Sequence, residues 1–352
     1  MNENTVHLEH VEQPLTKPVE DKILALWEQE QAIITDTEER MGEVLALAWD
    51  GDNLAGVAST AVVHHEGVDK PLFILRTLVN SMFRQQGVAY QLYQSVVEQL
   101  EERFDKGQDT RAIGVFVEVE AEHVKDMTEV PCSFSHNHSV QKRPMQFNLT
   151  GITQRGFPQY IYYFENASLI TDGPVFHERA AKLAVEPGIE LRFCWNKLTG
   201  AEQQQIVGLW LSHGVITDRE ACLKRLPQVA AVALEDGQVV AVSSIFKAPY
   251  ETARVNLMGY RSFVSPDARG SFVATKLLNL VYEEFNSSYQ EDPALREFQG
   301  IGYVLQNDGL NKSVQMARGP DVGSCLAGYM DDLQLRIKYF DGATVKLESP
   351  PQ

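Results

Sequence analysis

Cysteine is scarce in this chain. Its four, Cys132, Cys194, Cys222 and Cys325, are widely spaced and no two stand two residues apart. That spacing argues against a zinc ribbon or a disulfide framework and fits a reducing cytoplasm. Basic charge is short as well. Lys and Arg number 31 against 48 Asp and Glu, a net charge of 31 − 48 = −17. With no basic run to track a phosphate backbone, nucleic acid is a poor partner. Long apolar runs are missing too, so no segment is expected to span a membrane. The stretch Met1 to Asp21 is polar, without the apolar centre of a signal peptide. What the chain does hold is 44% hydrophobic residues in 352. At about 150 residues per domain, that is enough for two ordinary cores.

The strongest positive feature is a block that occurs twice. Ile74 to Val79, followed by Arg84 Gln85 Gln86 Gly87 Val88 Ala89, is echoed by Gly259 to Val264, followed by Arg269 Gly270 Ser271 Phe272 Val273 Ala274, at a constant shift of 269 − 84 = 185. The same shift carries Leu54–Ser59 onto Val239–Ser244 and Val96 onto Val281. Upstream, Leu15 Thr16 and Ile23–Trp27 land on Leu198 Thr199 and Ile206–Trp210 at a shift of 198 − 15 = 183, so a two-residue insertion separates the registers. Self-similarity at a period far above about 50 residues means a duplicated domain and not a solenoid. Domains are expected over 1–175 and 189–352. A linker over 176–188 ends in Pro187 Gly188.

Both copies predict the same order of elements. In the first, a strand over 6–11 precedes a helix over 18–34, with Thr16 as its N-cap and Pro18 near the first turn. Strands over 43–49 and 54–63 follow, joined by the hairpin signal Asp50 Gly51 Asp52 Asn53. Then come a strand over 71–79, a helix over 87–104, a strand over 112–120, a long polar segment from Ala121 to Leu149, and an alternating strand over 160–170. The second copy repeats this with strand 189–195 and helix 199–211, which opens on Thr199 and Glu202 at capping-box spacing. A hairpin turns at Glu235 to Gln238; strand 256–264, helix 272–285 and strands 300–306 and 333–339 complete the copy. Such domains are α+β: a mixed, mostly antiparallel sheet with flanking helices, and not doubly wound.

A strand ending at Val79, a short loop and a glycine opening a helix form an anion site, because the first helical amides lack partners and the helix dipole adds about half a positive charge there. A tightly packed helix start needs the same glycine. The run Val79, Ser81, Arg84, Gln85, Gln86, Gly87, Val88, Ala89 resembles the acetyl-CoA signature of the GCN5-related N-acetyltransferases, the GNAT superfamily. The second copy resembles it through Val264, Arg269 and Gly270, then departs at Phe272. The resemblance covers nearly the whole chain and implies two tandem GNAT-like domains, the second degenerate. It implies that the amides of Gln85, Gln86, Gly87, Val88 and Ala89 hold the coenzyme A pyrophosphate, that Arg84 lies near the phosphates, and that the main chain of Leu78 and Val79 holds the pantetheine arm and the thioester carbonyl. The implied reaction is direct attack of an amine on acetyl-CoA.

The family's usual acid, a tyrosine four residues before a glycine and aromatic pair, is absent: before Gly156 Phe157 stands Ile152. Tyr160 is the candidate acid, with Tyr162 and Tyr163 beside it in a strand whose alternation also suits packing. Glu118 and Glu120 are the candidate bases, on a strand face that solvation alone would also explain. Cys132, His123, His136 and His138 form the one cluster with metal-ligand chemistry, but it falls in a polar segment better suited to an acceptor-binding flap, and no metal is expected. The acceptor is an amine of a small molecule or peptide. A duplicated chain can act as a monomeric pseudo-dimer or as a homodimer. The rival reading is a non-catalytic protein that keeps the fold and the coenzyme A site.

Overall fold

The structure is a computed structural model that describes residues 6–32, 35–119, 129–130, 132–134, 145–175, 188–269, 272–306, 315–319 and 323–345. The 176–188 linker, save Gly188, lies outside them, as do Glu120, His123, His136 and His138. Two compact units emerge. The first gathers described residues within Met1–Glu120, Cys132–Phe147 and Gln159–Val175; the second gathers those within Ala121–Pro131, Asn148–Pro158 and Phe176–Gln352.

In the first unit, β1 (His7–His10), α1 (Lys17–Gln29), α2 (Thr37–Gly42), β2 (Val44–Asp50), β3 (Asn53–His65), β4 (Lys70–Val79), α3 (Val88–Asp105) and β5 (Gly114–Glu118) follow in turn. The short strands β6 (Glu129–Val130), which belongs to the second unit, and β7 (Cys132–Phe134) come next, then the longer β8 (Met145–Ile152), of which Met145–Phe147 lie in the first unit and Asn148–Ile152 in the second, and β9 (Pro158–Tyr163). The first sheet is ordered β1-β2-β3-β4-β5-β9-β8-β7. All its described pairings are antiparallel except β4 with β5. Along α1 the buried positions Ile23, Leu26 and Trp27 fall three and four apart, so one stripe faces Val44, Leu47, Leu54 and Val57. Burying each side chain of this size contributes about 1.5–3 kcal/mol.

The second unit repeats the plan with β10 (Ile189–Phe193), α4 (Gly200–Ser212), α5 (Arg219–Arg225), β11 (Val229–Glu235), β12 (Gln238–Tyr250), β13 (Val255–Val264), α6 (Val273–Ser288) and β14 (Gly300–Val304). It ends in β15 (Cys325–Met330), β16 (Leu333–Tyr339) and β17 (Ala343–Thr344). Its sheet is ordered β10-β11-β12-β13-β14-β16-β15, and only β13 with β14 is parallel. Ile206, Val207 and Trp210 of α4 bury against Val229, Val232, Val239 and Val242, the counterparts of the α1 stripe. Thr199 and Glu202 close the capping box in both directions.

Three expectations differ from the structure. The polar segment expected to Leu149 already contains β8, where Met145, Phe147 and Leu149 are buried together with Asn148 and Thr150. The strand expected to Ile170 stops at Tyr163, since Ala167 and Val175 bond back to Phe164 and Asn166 in turns. The helices α2 and α5 went unforeseen because six and seven residues carry too little periodicity. Each opens on an aspartate, Asp36 or Asp218, whose side chain accepts an amide of the first turn.

Candidate functional site

In the first unit β4 and β5 pair only at Phe73 with Val115 and Ile74 with Phe116. Beyond those pairs β4 continues to Val79 and β5 to Glu118 with no further pairing between them, leaving a gap beside Leu78 and Val79. Asn80 then caps a single 3-10 turn, Ser81–Phe83, by accepting the Met82 amide. Arg84 is extended, Gln85 turns to φ 62°, and Gly87 turns to φ 77° as the N-cap of α3. Two left-handed residues in three fold the loop back on itself. A Cβ built on Gly87 meets nothing within 4 Å, so the glycine answers a backbone need and leaves open space on its side-chain side. Among the described residues the amides of Gln85, Gln86, Gly87, Val88 and Ala89 have no backbone acceptor, and the first helical bond runs from Gln91 to the Gly87 carbonyl. That array of free amides at the positive end of an 18-residue helix suits a phosphate-sized anion.

The loop is tied to the end of α1 by a carboxylate that sequence reading missed. Glu30, 5% exposed at its side chain, accepts the Ser81 amide at 2.8 Å and the Arg84 guanidinium at 2.5 Å. Burial pushes its pKa upward, but the Ser81 amide and Arg84 outweigh that and hold it below the ordinary carboxylate value. Arg84 also donates to the Val79 carbonyl at 3.4 Å. Gln86 donates to the Met82 carbonyl at 2.9 Å, so the loop is braced at both ends.

The second unit builds the same loop. β13 and β14 pair over three residues and part, Pro266–Ala268 makes the 3-10 turn, and Arg269 donates to the Val264 carbonyl. Phe272 takes the N-cap of α6 at φ 55°, the conformation of Gly87, with its side chain 60% exposed. It does not enter the core. A side chain thus stands at the position that Gly87 leaves bare. Tyr260 and Tyr303 also meet edge to face at 6.3 Å across the parting strands. His213, at the repeat shift from Glu30, stacks near Phe263 and makes no tether to Arg269.

A parallel pair that splits inside an otherwise antiparallel sheet, followed by a 3-10 turn and a left-handed start to the next helix, therefore occurs twice. Both halves share one α+β arrangement. No family model and no curated protein matches the chain. Among solved structures, similarity extends to the ribosomal-protein-S18-alanine N-acetyltransferase of Escherichia coli, at 13% identity over 47% of this chain and 99% of that one, TM-score 0.29. It extends also to a GNAT phosphinothricin acetyltransferase of Sinorhizobium meliloti in complex with acetyl-CoA, at 14% identity over 45% and 91%, TM-score 0.31. The chain spans 31% of the length of a conserved Enterococcus faecalis protein, at 11% identity over 36% of this chain, TM-score 0.27.

The remaining candidates from the sequence fall as follows. Glu118 ends β5 opposite Gln159, whose amide donates to it at 3.1 Å. Glu120 lies outside the described residues. Tyr160 sits in β9 opposite Val117 and is 2% exposed. Ile152 ends β8, and Gly156 lies in the turn to β9, where Thr153 and Phe157 pair. Tyr93, one turn into α3, escaped the sequence reading: burial raises its pKa and it bonds the Thr77 side chain of β4. No group of three metal ligands occurs among the described residues, and no helix there is long and apolar enough to cross a membrane. A cavity of about 470 Å³ lies at the Phe73 end of β4, lined by Glu39, Glu43, Thr60, Arg103 and Arg111 among others, and includes none of the residues singled out from the sequence.

Proposed function

We propose that the N-terminal half binds acetyl-CoA and transfers its acetyl group to an amine of a small molecule or peptide. The observation that carries this reading is the Gly87 loop, with free amides, a helix N-terminus and an open side where a side chain would stand. The amides of Gln85 to Ala89 take the pyrophosphate, and the main chain of Leu78 and Val79 takes the pantetheine arm in the gap beside β4. The amine nitrogen attacks the thioester carbonyl, the carbon–sulfur bond breaks, and the proton lost by the amine is balanced by one gained at the thiolate. Positioning supplies most of the rate. Glu118 receives the amine proton directly or through water, and Tyr93 or Tyr160 donates one to sulfur. A cytoplasmic monomer whose halves form a pseudo-dimer, or a homodimer, fits this reading. The Phe272 half carries no cofactor.

Ile152, standing where the family's tyrosine is expected, favours a second reading: a protein that binds coenzyme A without turnover. Thiol release from acetyl-CoA across a panel of amines separates the two. Steady release supports transfer; tight cofactor binding with no release on any amine supports the binding protein.

A further inference from the structure

The repeat register aligns a charge network that is balanced in one half and unbalanced in the other. In the first unit Arg40 and Arg76 donate to one carboxylate, Glu43, at 2.8 and 3.0 Å. The shift of 185 carries these residues onto Arg225 (225 − 40), Arg261 (261 − 76) and Gln228 (228 − 43), and Ser59 onto Ser244. Both arginines survive and the carboxylate does not. Arg261 donates to the Gln228 side-chain amide oxygen and, through Nε, to Ser244 Oγ at 3.2 Å, while Arg225 reaches the same hydroxyl at 3.5 Å. The buried Arg225 Nε has no acceptor among the described residues. Neither arginine has an ion pair there, and Ser244 is only 2% exposed.

The surroundings hold both cations in place. Arg225 lies over the Trp210 ring at 5.3 Å and Arg261 over the Phe246 ring at 4.7 Å, stacking that leaves the N–H edges for an in-plane acceptor. Burial, then the neighbouring Arg261, bring the Arg225 pKa down to about 10, whereas Glu43 works against the same effect at Arg76. Of the charges on α5, Lys224 is taken by Glu220 and Asp218 by the helix cap. Two guanidinium groups sharing one neutral hydroxyl, inside a chain of net charge −17, have among the described residues no anion like the one their counterparts share.

We propose that the C-terminal half binds a small oxyanion, a carboxylate or a phosphate, between Arg225 and Arg261, in the electrostatic role that Glu43 fills in the other half. The planar edges of two arginines match either group, and the site is separate from the Gly87 loop.

Thermal melting of the full chain in inorganic phosphate, in acetate, and in chloride of equal ionic strength tests this. Phosphate or acetate is expected to raise Tm by at least about 3 °C over chloride at saturation, and the anion that does so identifies the source. Gln228→Glu is expected to raise Tm without added anion and, combined with Gly87→Phe, which closes the other anion site, to abolish the response; Gly87→Phe alone is expected to leave it intact. Arg225→Gln serves if Gln228→Glu does not fold, and is expected to abolish the response too. The proposal is overturned if neither anion acts on the wild type, if the response survives Gln228→Glu or Arg225→Gln made in the Gly87→Phe background, or if Gly87→Phe alone removes it.

Discussion

Arg84 rests on Glu30 at 2.5 Å across 54 residues of sequence, and the same carboxylate accepts the Ser81 amide. One buried acid thereby fixes both arms of the loop that precedes α3. Glu30→Gln keeps the size of the side chain and removes the charge. Because Arg84 is 46% exposed, screening reduces the ion-pair part of the loss, and a destabilisation of about 1 kcal/mol is expected. Urea unfolding measures it. Hydrogen exchange should quicken in the Ser81–Gln86 loop and not in α6.

The same residue sets a pH dependence. The Glu30 pKa in the folded protein is below its ordinary value of 4.5, so its stabilisation is complete above that value and is lost as pH falls through the folded pKa. Melting curves from pH 6 down to pH 3 should show the wild type losing more stability than Glu30→Gln. Parallel curves would contradict the assignment.

Buried thiols give a third expectation. Cys194 is fully buried, and burial pushes its pKa to about 11 despite Arg192 nearby; burial raises that of Cys222 as well. Cys325 is also buried. Thiolate is the reactive form, so iodoacetamide at pH 8 should leave all three unmodified in the native protein and label them after unfolding, as read by peptide mass spectrometry.

The capping box that opens α4 should be worth a measurable amount. Thr199→Ala removes both the hydroxyl that accepts the Glu202 amide and its bond to the Glu202 carboxylate, for a loss of about 1 kcal/mol in urea unfolding. A loss below the error of the measurement would show that packing of Ile206 and Trp210 alone fixes the helix start.

Much of the fold was legible because its signals are local. The constant shift located β4 and α3 in one half and β13 and α6 in the other, and turn chemistry at Gly51 and Gly237 marked both hairpins. The left-handed helix start was readable from Gly87, whereas Phe272 shows that the backbone keeps this conformation with a side chain attached. Other features were hidden for physical reasons. Glu30 and Arg84 meet through the packing of α1 beside the loop, which no spacing in sequence encodes. In β8, Asn148 and Thr150 are buried beside the apolar positions, so their polarity read as a loop. Arg336, completely buried with its donors on Ser324, Gln334, Met316 and Ala317, carries no local signal of its burial in the strand. An acid or a base depends on groups that a sheet brings together from distant segments, which local pattern does not encode.

The central claim is that Gly87 marks a working cofactor loop and Phe272 an empty one. Isothermal titration of coenzyme A into the wild type and into Gly87→Phe tests it most directly. The variant is expected to fold, since Phe272 already occupies this backbone conformation and a Cβ on Gly87 meets no neighbour within 4 Å. One site per chain in the wild type, lost in Gly87→Phe, is the predicted result; two sites, or affinity unchanged by Gly87→Phe, would contradict it.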